Sequence, residues 1–600
     1  MCGIGGFFAQ RSVPPQVVSA MQAALRARGP DAQHAQLWER DGLLHARLSI
    51  IDPRPLADQP MANVRGDVWI VYNGEVYDWE HAAAELRAAA PFRTRSDTEF
   101  ILRGYEAWGI EVLLERLRGM FAFAIVDLAK GKAYLVRDRM GEKPLVYSVI
   151  DGELAFGSTV RSVLPFLPRG KRELSPEGID AYLAHRYIPA PRTVYRHIQR
   201  LENGHYLEFD LRSRRLEKRR YWTPFEESGS WLEALDESVR MRTIADRPLG
   251  VFLSGGVDST VVVSRLAHQR LNNFRTFTAA FPGSVMDESA TAAQTAAALG
   301  FPNTPVGVPD SLDGDFAAIV AALDEPFADP SSFPTWYLAR EVSRDVKVVL
   351  AGDGGDELFG GYKRVAKHLR TAWRGRLRLP LAVRPALDGG KLAAELGMDW
   401  ASAYSLRFSG IAPAQRAFLQ GGGGLKALSY WRAPDVERKP PLEQLMAIDQ
   451  ANYLPEYILR KSDLCTMAHG LEARAPLLDH RFVQRILAQP TERVYTRPPK
   501  LMLQEALDPR LPADFLRRKK RGFNPPLRRW LRAELAPRFD GLGARLQDLS
   551  GGQLACAAVD AFARRYLDGA EPLAEQVLQL LILDESLAQL LTCSRTGAAR

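Results

Sequence analysis

A cysteine stands directly after the initiator methionine, in the opening stretch MCGIGGFF. Two interpretations are open from these letters alone. Either the position of Cys2 is an accident of the translation start, or removal of Met1 makes Cys2 the true N-terminus and a residue that does chemistry there. A thiol of that kind is a candidate nucleophile, and its activity depends on how readily it loses its proton.

A glycine-rich loop, SGGVDS (254–259), follows the apolar run PLGVFL and precedes the helix-like run TVVVSRLAHQR. Glycines between a buried strand and a helix let backbone N–H groups face an anion, and Ser254 and Ser259 add hydroxyl donors. Asp258 would repel a phosphate without a cation, which points to Mg²⁺. The loop lacks the GxxxxGK[ST] pattern. The arrangement SGGxDS is instead typical of enzymes that cleave ATP between the α and β phosphates. The alternative interpretation is a tight glycine turn that binds no ligand.

A second polar loop, AGDGGDELFGGY (351–362), follows the apolar run VKVVLAG. Asp353, Asp356 and Glu357 crowd into five residues of this loop. Such carboxylates repel one another unless they share a divalent cation, and the carboxyl end of a parallel strand is where open α/β sheets bind ligands. An acidic, solvated loop is the alternative. Taken together, the two loops predict a site for ATP and Mg²⁺.

The elements that must position these residues divide the chain into two parts. The first two hundred residues read as short strands and turns with a few helices, which predicts an α+β layered domain. In the strand-like run 68–78 the pair Asn73-Gly74 is a strong turn signal, and Asp97 is the expected N-cap of a helix over 97–109. The boundary falls near 205–225, which predicts one domain over 1–215 and another over 225–600.

Beyond that boundary, strands and helices alternate. Strands are expected at 248–253, 274–281 and 346–352, with helices at 260–270 and 288–300. This βαβ pattern with buried strands predicts a mostly parallel α/β sheet. The remaining residues, from about 365 to 600, read as largely helical.

Composition and charge limit the functions that remain. The chain has 600 residues, with 79 Lys and Arg against 71 Asp and Glu. Aromatic residues are not interleaved along the basic runs 211–222 and 517–532 as a stacking platform requires, so an arginine-rich surface is favoured over a nucleic-acid interface. No apolar run approaches the roughly 20 residues of a membrane helix, and the N-terminus does not resemble a secretion signal. Four widely spaced cysteines fit a reducing compartment, so we expect a cytoplasmic protein.

A series of segments then extends along nearly the whole chain. They are MCGIGG, RARGPDA, HARLSIID, YNGEVYD, RSDTE, GMFAFAIVD, RDRMGEKPL, YIPAPRTVY, FLSGGVDST, LDEPFADPSS, AGDGGDELFGGY, HGLEARAPLLDH and KKRGF. In their order and spacing, over some 520 residues, the chain resembles the glutamine-dependent asparagine synthetase family.

The resemblance implies that the first domain is a glutaminase of the N-terminal-nucleophile class, with two sheets sandwiched between helices (αββα). It makes Cys2 the nucleophile after loss of Met1, with its own α-amino group as the base. A cysteine of pKa about 8.5 is only a few per cent thiolate at neutral pH, and an amine of pKa about 8 can accept its proton. The other residues implied are Asn73 and Gly74 for the oxyanion hole, Arg47 for the glutamine α-carboxylate, and Glu75 and Asp97 for its α-ammonium.

For the second domain the resemblance implies an ATP-pyrophosphatase fold, in which ATP adenylates a carboxylate and ammonia displaces AMP. Asp353 stands where the family usually has a catalytic acid, often glutamate, and Lys500 matches a lysine that stabilises negative charge. Mg²⁺ is assigned to Asp258, Asp356 and Glu357. The ATP-binding positions implied are Leu253, Ser254, Gly255, Gly256, Val257, Asp258, Ser259, Ala279, Ala351 and Gly352. Ammonia is expected to travel inside the protein, because free ammonia is protonated and lost in water.

The sequence departs from the family pattern in four places. One is LGFPNTPVGV (299–308), which lacks the His-rich turn often seen after the helix expected at 288–300. Ala27 stands where many relatives have histidine, and Thr159 stands where glutamate is common. Pro330, followed by two serines, lies near where some members place an arginine. The acceptor segment LDEPFADPSSFPTWYL (323–338) therefore offers no obvious cation for an aspartate α-carboxylate.

The leading interpretation is an asparagine synthetase that converts L-aspartate to L-asparagine with release of AMP and pyrophosphate. The nearest alternative keeps this chemistry but amidates a sugar acid, a peptide or a specialised metabolite. A more remote alternative is a pyrophosphate-loop RNA-modifying enzyme, which would leave the first domain unexplained. Another is a non-catalytic relative, which would not need Cys2, Asp258, Asp353 and Lys500 together. We expect small-molecule substrates, no nucleic acid and no membrane, with a homodimer as the candidate assembly.

Overall fold

The computed structural model describes residues 2–284, 287–312, 314–373, 394–395, 398–422, 427–432, 439–517 and 525–596. The motif KKRGF and the adjoining part of the basic run 517–532 lie outside the described residues. Within them, two antiparallel sheets and one parallel sheet organise the fold.

Two six-stranded antiparallel sheets build the first domain. The strands are β1 Gly3–Phe8, β2 Ala32–Leu37, β3 Asp41–Arg47, β4 Met61–Ala62, β5 Val68–Val76, β6 Gly119–Asp127, β7 Lys132–Arg137, β8 Val146–Ile150, β9 Glu153–Gly157, β10 Gln199–Arg200, β11 His205–Asp210 and β12 Leu216–Arg220. The first sheet has the order β10-β8-β9-β1-β3-β2 and the second β12-β11-β7-β6-β5-β4. Strand β12 lies beyond residue 215, the predicted end of the domain, and within the expected boundary region 205–225.

Helices cover both outer faces of these sheets. They are Pro15–Ala23, Trp79–Ala82, Ala84–Ala89, Asp97–Arg116, Val160–Val163 and Pro176–His185. Because side chains alternate along a strand, Ala122 and Ala124 of β6 face a core shared with the first sheet, whereas Phe121 and Phe123 pack with the helix Asp97–Arg116. The first helix packs on the opposite sheet. The resulting helix–sheet–sheet–helix layers agree with the layered α+β prediction.

The turn predicted at Asn73-Gly74 is wrong. Strand β5 runs through both residues and pairs with β6 in all nine of its positions. A Cβ on Gly74 would lie 2.1 Å from the Met120 carbonyl oxygen, so the glycine serves close strand approach here. Long-range pairing outweighs the two-residue turn signal.

The predicted N-cap is also displaced by one residue. The Ser96 side chain accepts a hydrogen bond from the Thr98 N–H and caps the helix, so Asp97 is its first helical residue. This position leaves the Asp97 carboxylate free to bond with β5 instead of with its own helix.

A five-stranded parallel sheet forms the centre of the second domain, as predicted. Its strands are β13 Leu249–Phe252, β14 Arg275–Ala280, β15 Asn303–Gly307, β16 Val348–Leu350 and β17 Glu472–Arg474, in the order β15-β14-β13-β16-β17. The helices around it are Trp231–Met241, Val257–His268, Ser289–Leu299, Phe316–Ala322 and Ser332–Val342. The strand order reverses between β13 and β16, and a crevice at such a point is the usual ligand site of an open α/β sheet.

The described part of the C-terminal region is largely helical. Its helices are Gly355–Leu358, Lys363–Leu369, Trp400–Ala403, Pro413–Leu419, Pro441–Ile448, the wider π-helical Asp449–Leu459, Arg460–Met467, His480–Leu487, Thr491–Val494, Leu501–Gln504, Leu527–Arg532, Leu542–Leu549, Cys556–Leu567 and Ala574–Thr596. Short 3-10 turns lie at Arg26–Arg28, Pro55–Ala57, Leu164–Phe166, Arg169–Lys171, Tyr404–Phe408, Pro476–Leu478, Phe515–Arg517, Ala536–Phe539 and Glu571–Leu573. Over the described ranges, none of the helices has the length and apolar character to cross a membrane.

Buried ion pairs join the two domains. Arg118, just before β6, makes two hydrogen bonds of 2.9 Å to the Asp479 carboxylate. Arg28 pairs with Asp463 in the same way, at 2.8 and 3.2 Å. Both arginines belong to the first domain and both carboxylates to the second. A buried ion loses its hydration, so each of these charges is costly unless its partner is in place. Because the two-bond geometry is met in only one arrangement, the pairs favour one relative orientation of the domains.

Candidate active sites

Cys2 lies buried immediately before β1. Its backbone N–H donates to Asn73 Oδ1 at 2.9 Å, and its carbonyl oxygen accepts from Arg28 Nε at 3.3 Å. Burial raises the pKa of the Cys2 thiol, while a hydrogen bond from the Leu48 backbone and the charge of Arg47 act in the opposite direction. The thiol therefore needs a base to take its proton before it can attack.

The Asn73 side chain offers a donor beside this cysteine. The residue is fully buried, and its Oδ1 is bonded to the Cys2 N–H. Its Nδ2 has no hydrogen-bond partner among the described residues. A buried N–H group without an acceptor is costly, so the amide fits a site where a ligand oxygen completes the bond.

Gly74 offers a second donor on the same strand. The N–H groups of Tyr72 and Val76 bond to Gln59 and Asp97, on the side of β5 away from β6. Since hydrogen-bonding direction alternates along an antiparallel strand, the Gly74 N–H points to that same side. Backbone and side-chain N–H donors on adjacent residues are the arrangement that an oxyanion hole requires.

Arg47, at the end of β3, is held by the loop 51–58. Its Nη1 donates to Asp58 Oδ1 at 2.5 Å, and its Nη2 donates to the Asp52 carbonyl oxygen at 2.6 Å. The side chain is nearly fully buried, so these bonds orient the guanidinium. Both terminal nitrogens of Arg47 therefore already donate hydrogen bonds. To bind a glutamine α-carboxylate as predicted, Arg47 would replace its bond to Asp58 with a bond to the ligand.

The two carboxylates expected to bind the α-ammonium have different partners. Asp97 Oδ2 accepts from the Tyr72 hydroxyl at 2.6 Å and from the Val76 N–H at 2.8 Å. Glu75 Oε2 accepts from Arg474 Nη2, in the second domain, at 3.2 Å. Burial raises the pKa of both carboxyl groups, and the charge of Asp97 adds to the effect at Glu75. A cationic ligand group between them would relieve this repulsion.

The segment 254–259 contains the turn after β13 and the first residues of the helix Val257–His268. Ser259 Oγ accepts from the Ser254 N–H at 3.0 Å and lies 3.0 Å from Ser254 Oγ. The Gly255 N–H donates to the Glu288 carboxylate at 3.2 Å. One loop N–H group thus bonds to an anionic oxygen, as is expected of a loop that binds phosphate.

A cavity of about 330 Å³ lies at the carboxyl ends of β13 and β16, at the point where the strand order reverses. The predicted residues that line it are Leu253, Ser254, Asp258, Ser259, Ala279, Ala351, Gly352, Asp353, Asp356 and Glu357. Gly255, Gly256, Val257 and Lys500 are not among its lining residues. Its volume falls in the range of small-molecule sites, which is roughly 300–1,000 Å³.

Lys500 lies between two carboxylates of this site. Its Nζ donates to the two Asp258 oxygens at 2.7 and 2.6 Å and is paired with Asp356 as well. The backbone of Lys500 has a φ of +68°, a conformation that residues other than glycine seldom adopt. Such strain persists where the surrounding structure requires it, and here it places a buried positive charge beside the phosphate loop.

The three predicted metal ligands, Asp258, Asp356 and Glu357, do not share the same partners. Asp258 and Asp356 share the Lys500 ammonium, whereas Glu357 Oε1 accepts from the Tyr362 hydroxyl at 2.5 Å. In the described part of the chain, no three Asp, Glu, His or Cys side chains are grouped to hold one metal ion. Two carboxylates nevertheless fit Mg²⁺, which proteins commonly bind through one or two carboxylates together with substrate phosphates.

Lys461 supplies a cation that the sequence reasoning missed. It lines the 330 Å³ cavity, its Nζ donates to Ser331 Oγ at 2.9 Å, and it lies 3.3 Å from Asp329 Oδ2. Burial opposes the charge of Lys461, but Asp329 and Asp353 outweigh that effect and raise its pKa. Lys461 follows Ser331 by 130 residues, so no local pattern could have linked it to the acceptor segment.

Strands β16 and β17 connect the two sites. The Ala351 N–H, directly after β16, donates to the Arg474 carbonyl oxygen at 2.8 Å, while the Arg474 side chain reaches Glu75. A second cavity, of about 20 Å³, lies beside Arg474 and shares Asp353 and Ser462 with the larger one. One strand pair thus extends from the cysteine site to the phosphate-loop site.

Three of the four departures from the family pattern lie near the domain boundary or the acceptor segment. Ala27 and Thr159 line an interdomain cavity of about 380 Å³. The Thr159 side chain also accepts from the Ser162 N–H and caps a short helix. Pro330 adjoins Ser331, the acceptor of the Lys461 hydrogen bond.

A buried cysteine site on paired sheets and a phosphate-loop site on a parallel sheet, joined in one chain, define a two-domain protein of the amidotransferase class. The glutamine amidotransferase domain model matches residues 1–222, and the asparagine synthase model matches residues 230–591. The chain belongs to the asparagine synthase family and carries an N-terminal glutamine amidotransferase domain.

Relatives match over most of their length. Glutamine-hydrolyzing asparagine synthetase 1 of Bacillus subtilis is 30% identical over 571 residues, covering 89% of this chain and 88% of that protein. A putative glutamine-hydrolyzing asparagine synthetase of Mycobacterium tuberculosis is 33% identical over 586 residues, covering 89% of both chains. Amidase chry2 of Gibberella zeae is 27% identical over 631 residues, covering 88% of this chain and 90% of that protein.

Proposed function

We propose that the protein is a glutamine-dependent asparagine synthetase, which releases ammonia from glutamine at Cys2 and transfers it to adenylated L-aspartate. The observation that carries this proposal is the strand pair β16–β17, which joins Arg474 at the cysteine site to Ala351 and Asp353 at the phosphate-loop cavity. Membership of the family and the names of its relatives support the same products, L-asparagine, AMP and pyrophosphate.

In the first half-reaction, Cys2 acts as the nucleophile of an N-terminal-nucleophile domain. Once Met1 is removed, the α-amino group of Cys2 accepts the proton that burial otherwise keeps on the thiol. The thiolate attacks the side-chain carbonyl carbon of glutamine, and Asn73 Nδ2 and the Gly74 N–H stabilise the oxyanion. The proton passes to the departing nitrogen, which leaves as ammonia, and water hydrolyses the thioester to glutamate.

In the second half-reaction, ATP occupies the 330 Å³ cavity with its phosphates on the loop 254–259. The Ser254 and Ser259 hydroxyls donate to the phosphates, and Lys500 offsets the negative charge of the transition state. Asp258 and Asp356 would hold Mg²⁺, which neutralises phosphate charge when bound. The acceptor carboxylate attacks the α-phosphorus, pyrophosphate leaves, and ammonia then displaces AMP.

The acceptor site suits an α-amino acid. Lys461 and Asp329 place opposite charges 3.3 Å apart beside the 330 Å³ cavity. The α-carboxylate of L-aspartate can pair with the Lys461 ammonium while its α-ammonium pairs with Asp329. This exchange keeps both protein charges compensated, which matters because an uncompensated buried charge is costly.

The proposal is tested by incubating the protein with ATP, Mg²⁺, glutamine and L-aspartate, followed by assay of asparagine and pyrophosphate. We expect the two products in equal amounts. Asp258→Asn should lose ATP–pyrophosphate exchange and keep glutaminase activity, because it alters only the second site. Glutaminase activity without asparagine, with pyrophosphate released only when another carboxylate is supplied, would reject L-aspartate as the acceptor.

A further inference from the structure

The loop between β7 and β8 brings an acid with no assigned role to the small cavity between the sites. Glu142 is 6% exposed and lines this 20 Å³ cavity together with Asp353 and Arg474. Across the described ranges, its carboxyl group makes no hydrogen bond or ion pair. Because burial of an unpaired polar group costs free energy, an unpartnered acid at a cavity points to a ligand there.

The backbone that carries Glu142 is held rigidly. The Asp138 carboxylate accepts four successive backbone N–H groups, from Met140 to Lys143, at distances between 2.6 and 3.0 Å. Gly141 has a φ of +76°, which this tight turn requires. Lys143 Nζ lies 3.5 Å from Asp463, so its charge is directed to the second domain. Glu142 is therefore presented to the cavity by a preorganised loop.

The size and position of the cavity suit one small polar molecule. Its volume of about 20 Å³ exceeds the roughly 10–15 Å³ needed for a water-sized molecule, and ammonia has similar dimensions. This small cavity shares Asp353 and Ser462 with the 330 Å³ cavity. Arg474, which also lines it, contacts Glu75 at the cysteine site. The small cavity is thus bordered by residues that contact the place where ammonia is released and the place where it reacts.

We propose that Glu142 binds ammonia in transit between the two sites. Its carboxylate accepts an N–H hydrogen bond from the ammonia nitrogen and holds that nitrogen beside Asp353 until the adenylate is attacked. The inference rests on the proposed function and adds a residue to it. Its consequence is that Glu142 controls how much released ammonia reaches the acceptor, while each half-reaction proceeds without it.

Protonation of Glu142 gives this role a measurable signature. Burial raises the pKa of the Glu142 carboxyl to about 8, with Asp138 adding to the effect and Arg242 and Lys143 opposing it. The ionised form only accepts hydrogen bonds, whereas the protonated form donates to the lone pair that ammonia needs for attack. Transfer should therefore improve as pH rises through about 8. Among the described residues, the titratable and charged groups around Glu142 are Tyr77, Asp138, Lys143, Arg242, Asp353, Asp463, Arg474 and Asp479.

The test measures asparagine formed per glutamine hydrolysed, because this ratio cancels pH effects on the hydrolysis rate itself. Glu142→Leu should lower the ratio about fivefold, the effect of one lost hydrogen bond of ordinary strength. Its glutaminase and ATP–pyrophosphate exchange rates should stay at the wild-type level. Glu142→Gln keeps an acceptor oxygen and should retain the ratio at neutral pH, but lose its change around pH 8. Glu39→Gln, at an exposed glutamate, is the matched control and should behave as wild type.

A wild-type ratio in Glu142→Leu would overturn the proposal. So would a pH profile of Glu142→Gln that still rises as in the wild type, and this result decides the matter even if the leucine variant does not fold. Wild-type protein that forms no amide product with any carboxylate would instead refute the proposed function, so the two failures are distinguishable.

Discussion

Arg474 crosses the domain boundary and donates from Nη2 to the Glu75 carboxylate at 3.2 Å. The same guanidinium bonds to Glu472 at 2.6 Å through Nε and to the Ile244 carbonyl oxygen at 2.7 Å through Nη1. Its carbonyl oxygen meanwhile accepts from Ala351 at the second site. One residue of the synthetase domain therefore orients a carboxylate predicted to bind glutamine.

Arg474→Lys should weaken glutamine binding. A lysine ammonium cannot reproduce the planar fork that contacts Glu75 and Glu472 together. Loss of one hydrogen bond to a charged group should raise the KM for glutamine about tenfold, while ammonia-driven synthesis continues. Steady-state kinetics with each nitrogen source measures this split. Arg493→Lys, in an exposed ion pair with Glu505, is the control, and an unchanged KM in Arg474→Lys would contradict the assignment.

Cys2→Ala should abolish glutamine-dependent synthesis and leave ammonia-driven synthesis intact, because only the first site loses its nucleophile. Product assays with glutamine and with ammonium salts test both sites separately. Loss of both activities would break the two-site model. Mass spectrometry of the purified protein should also find Cys2 as the first residue, and a retained Met1 would refute the nucleophile assignment.

Lys461→Met should impair recognition of the acceptor. Removal of the ammonium leaves the α-carboxylate of aspartate without its counter-charge and leaves Asp329 unpaired. We expect the KM for aspartate to rise at least about tenfold, with glutaminase activity unchanged. The matched control is Lys130→Met, at an exposed lysine. Equal KM values for aspartate in Lys461→Met and wild type would eliminate Lys461 as the acceptor cation.

Asp479→Asn should destabilise the protein. The substitution leaves the buried Arg118 and Arg242 guanidinium groups without their shared carboxylate. Breaking a buried ion pair from one side typically costs about 3–5 kcal/mol of unfolding free energy. Glu85→Gln breaks the exposed pair with Arg116 and should cost about 0.5 kcal/mol or less. Denaturant unfolding of the two variants compares them, and equal midpoints would show that the interdomain pair contributes little.

Glu357→Gln should change how stability depends on pH. Burial, reinforced by Asp356, raises the pKa of Glu357 to about 8, above the value of about 4.3 for an exposed glutamate. The folded protein therefore holds a proton that the unfolded chain has released, so this contribution to stability is lost as pH rises through about 8. The glutamine variant should show a smaller fall of Tm from pH 6 to pH 9. Parallel curves for the two proteins, with exposed Glu233→Gln as the control, would show that Glu357 does not titrate in this range.

The sequence predicted correctly those segments in which the strand, the functional loop and the helix follow one another directly in the chain. Strand β13, the loop 254–259 and the following helix form one uninterrupted pattern, and the structure has them within a few residues of the expected positions. The turn at Asn73-Gly74 failed because nine cross-strand pairings outweigh a two-residue preference. Among the described residues, the three predicted metal ligands Asp258, Asp356 and Glu357 do not form one group. Lys500 pairs with the first two, and the Tyr362 hydroxyl donates to the third.

The sequence by itself determined the chemical groups and their order: a cysteine after Met1, an anion-binding loop and an acidic loop after parallel strands. Only the tertiary structure decided which of these groups meet. Glu75 and Arg474 are 399 residues apart, and Lys461 is 130 residues from Ser331. Contacts over such separations leave no periodicity or spacing in the chain. The first depends on how the two domains are docked, and the second depends on how the helices Ser332–Val342 and Arg460–Met467 pack within the second domain.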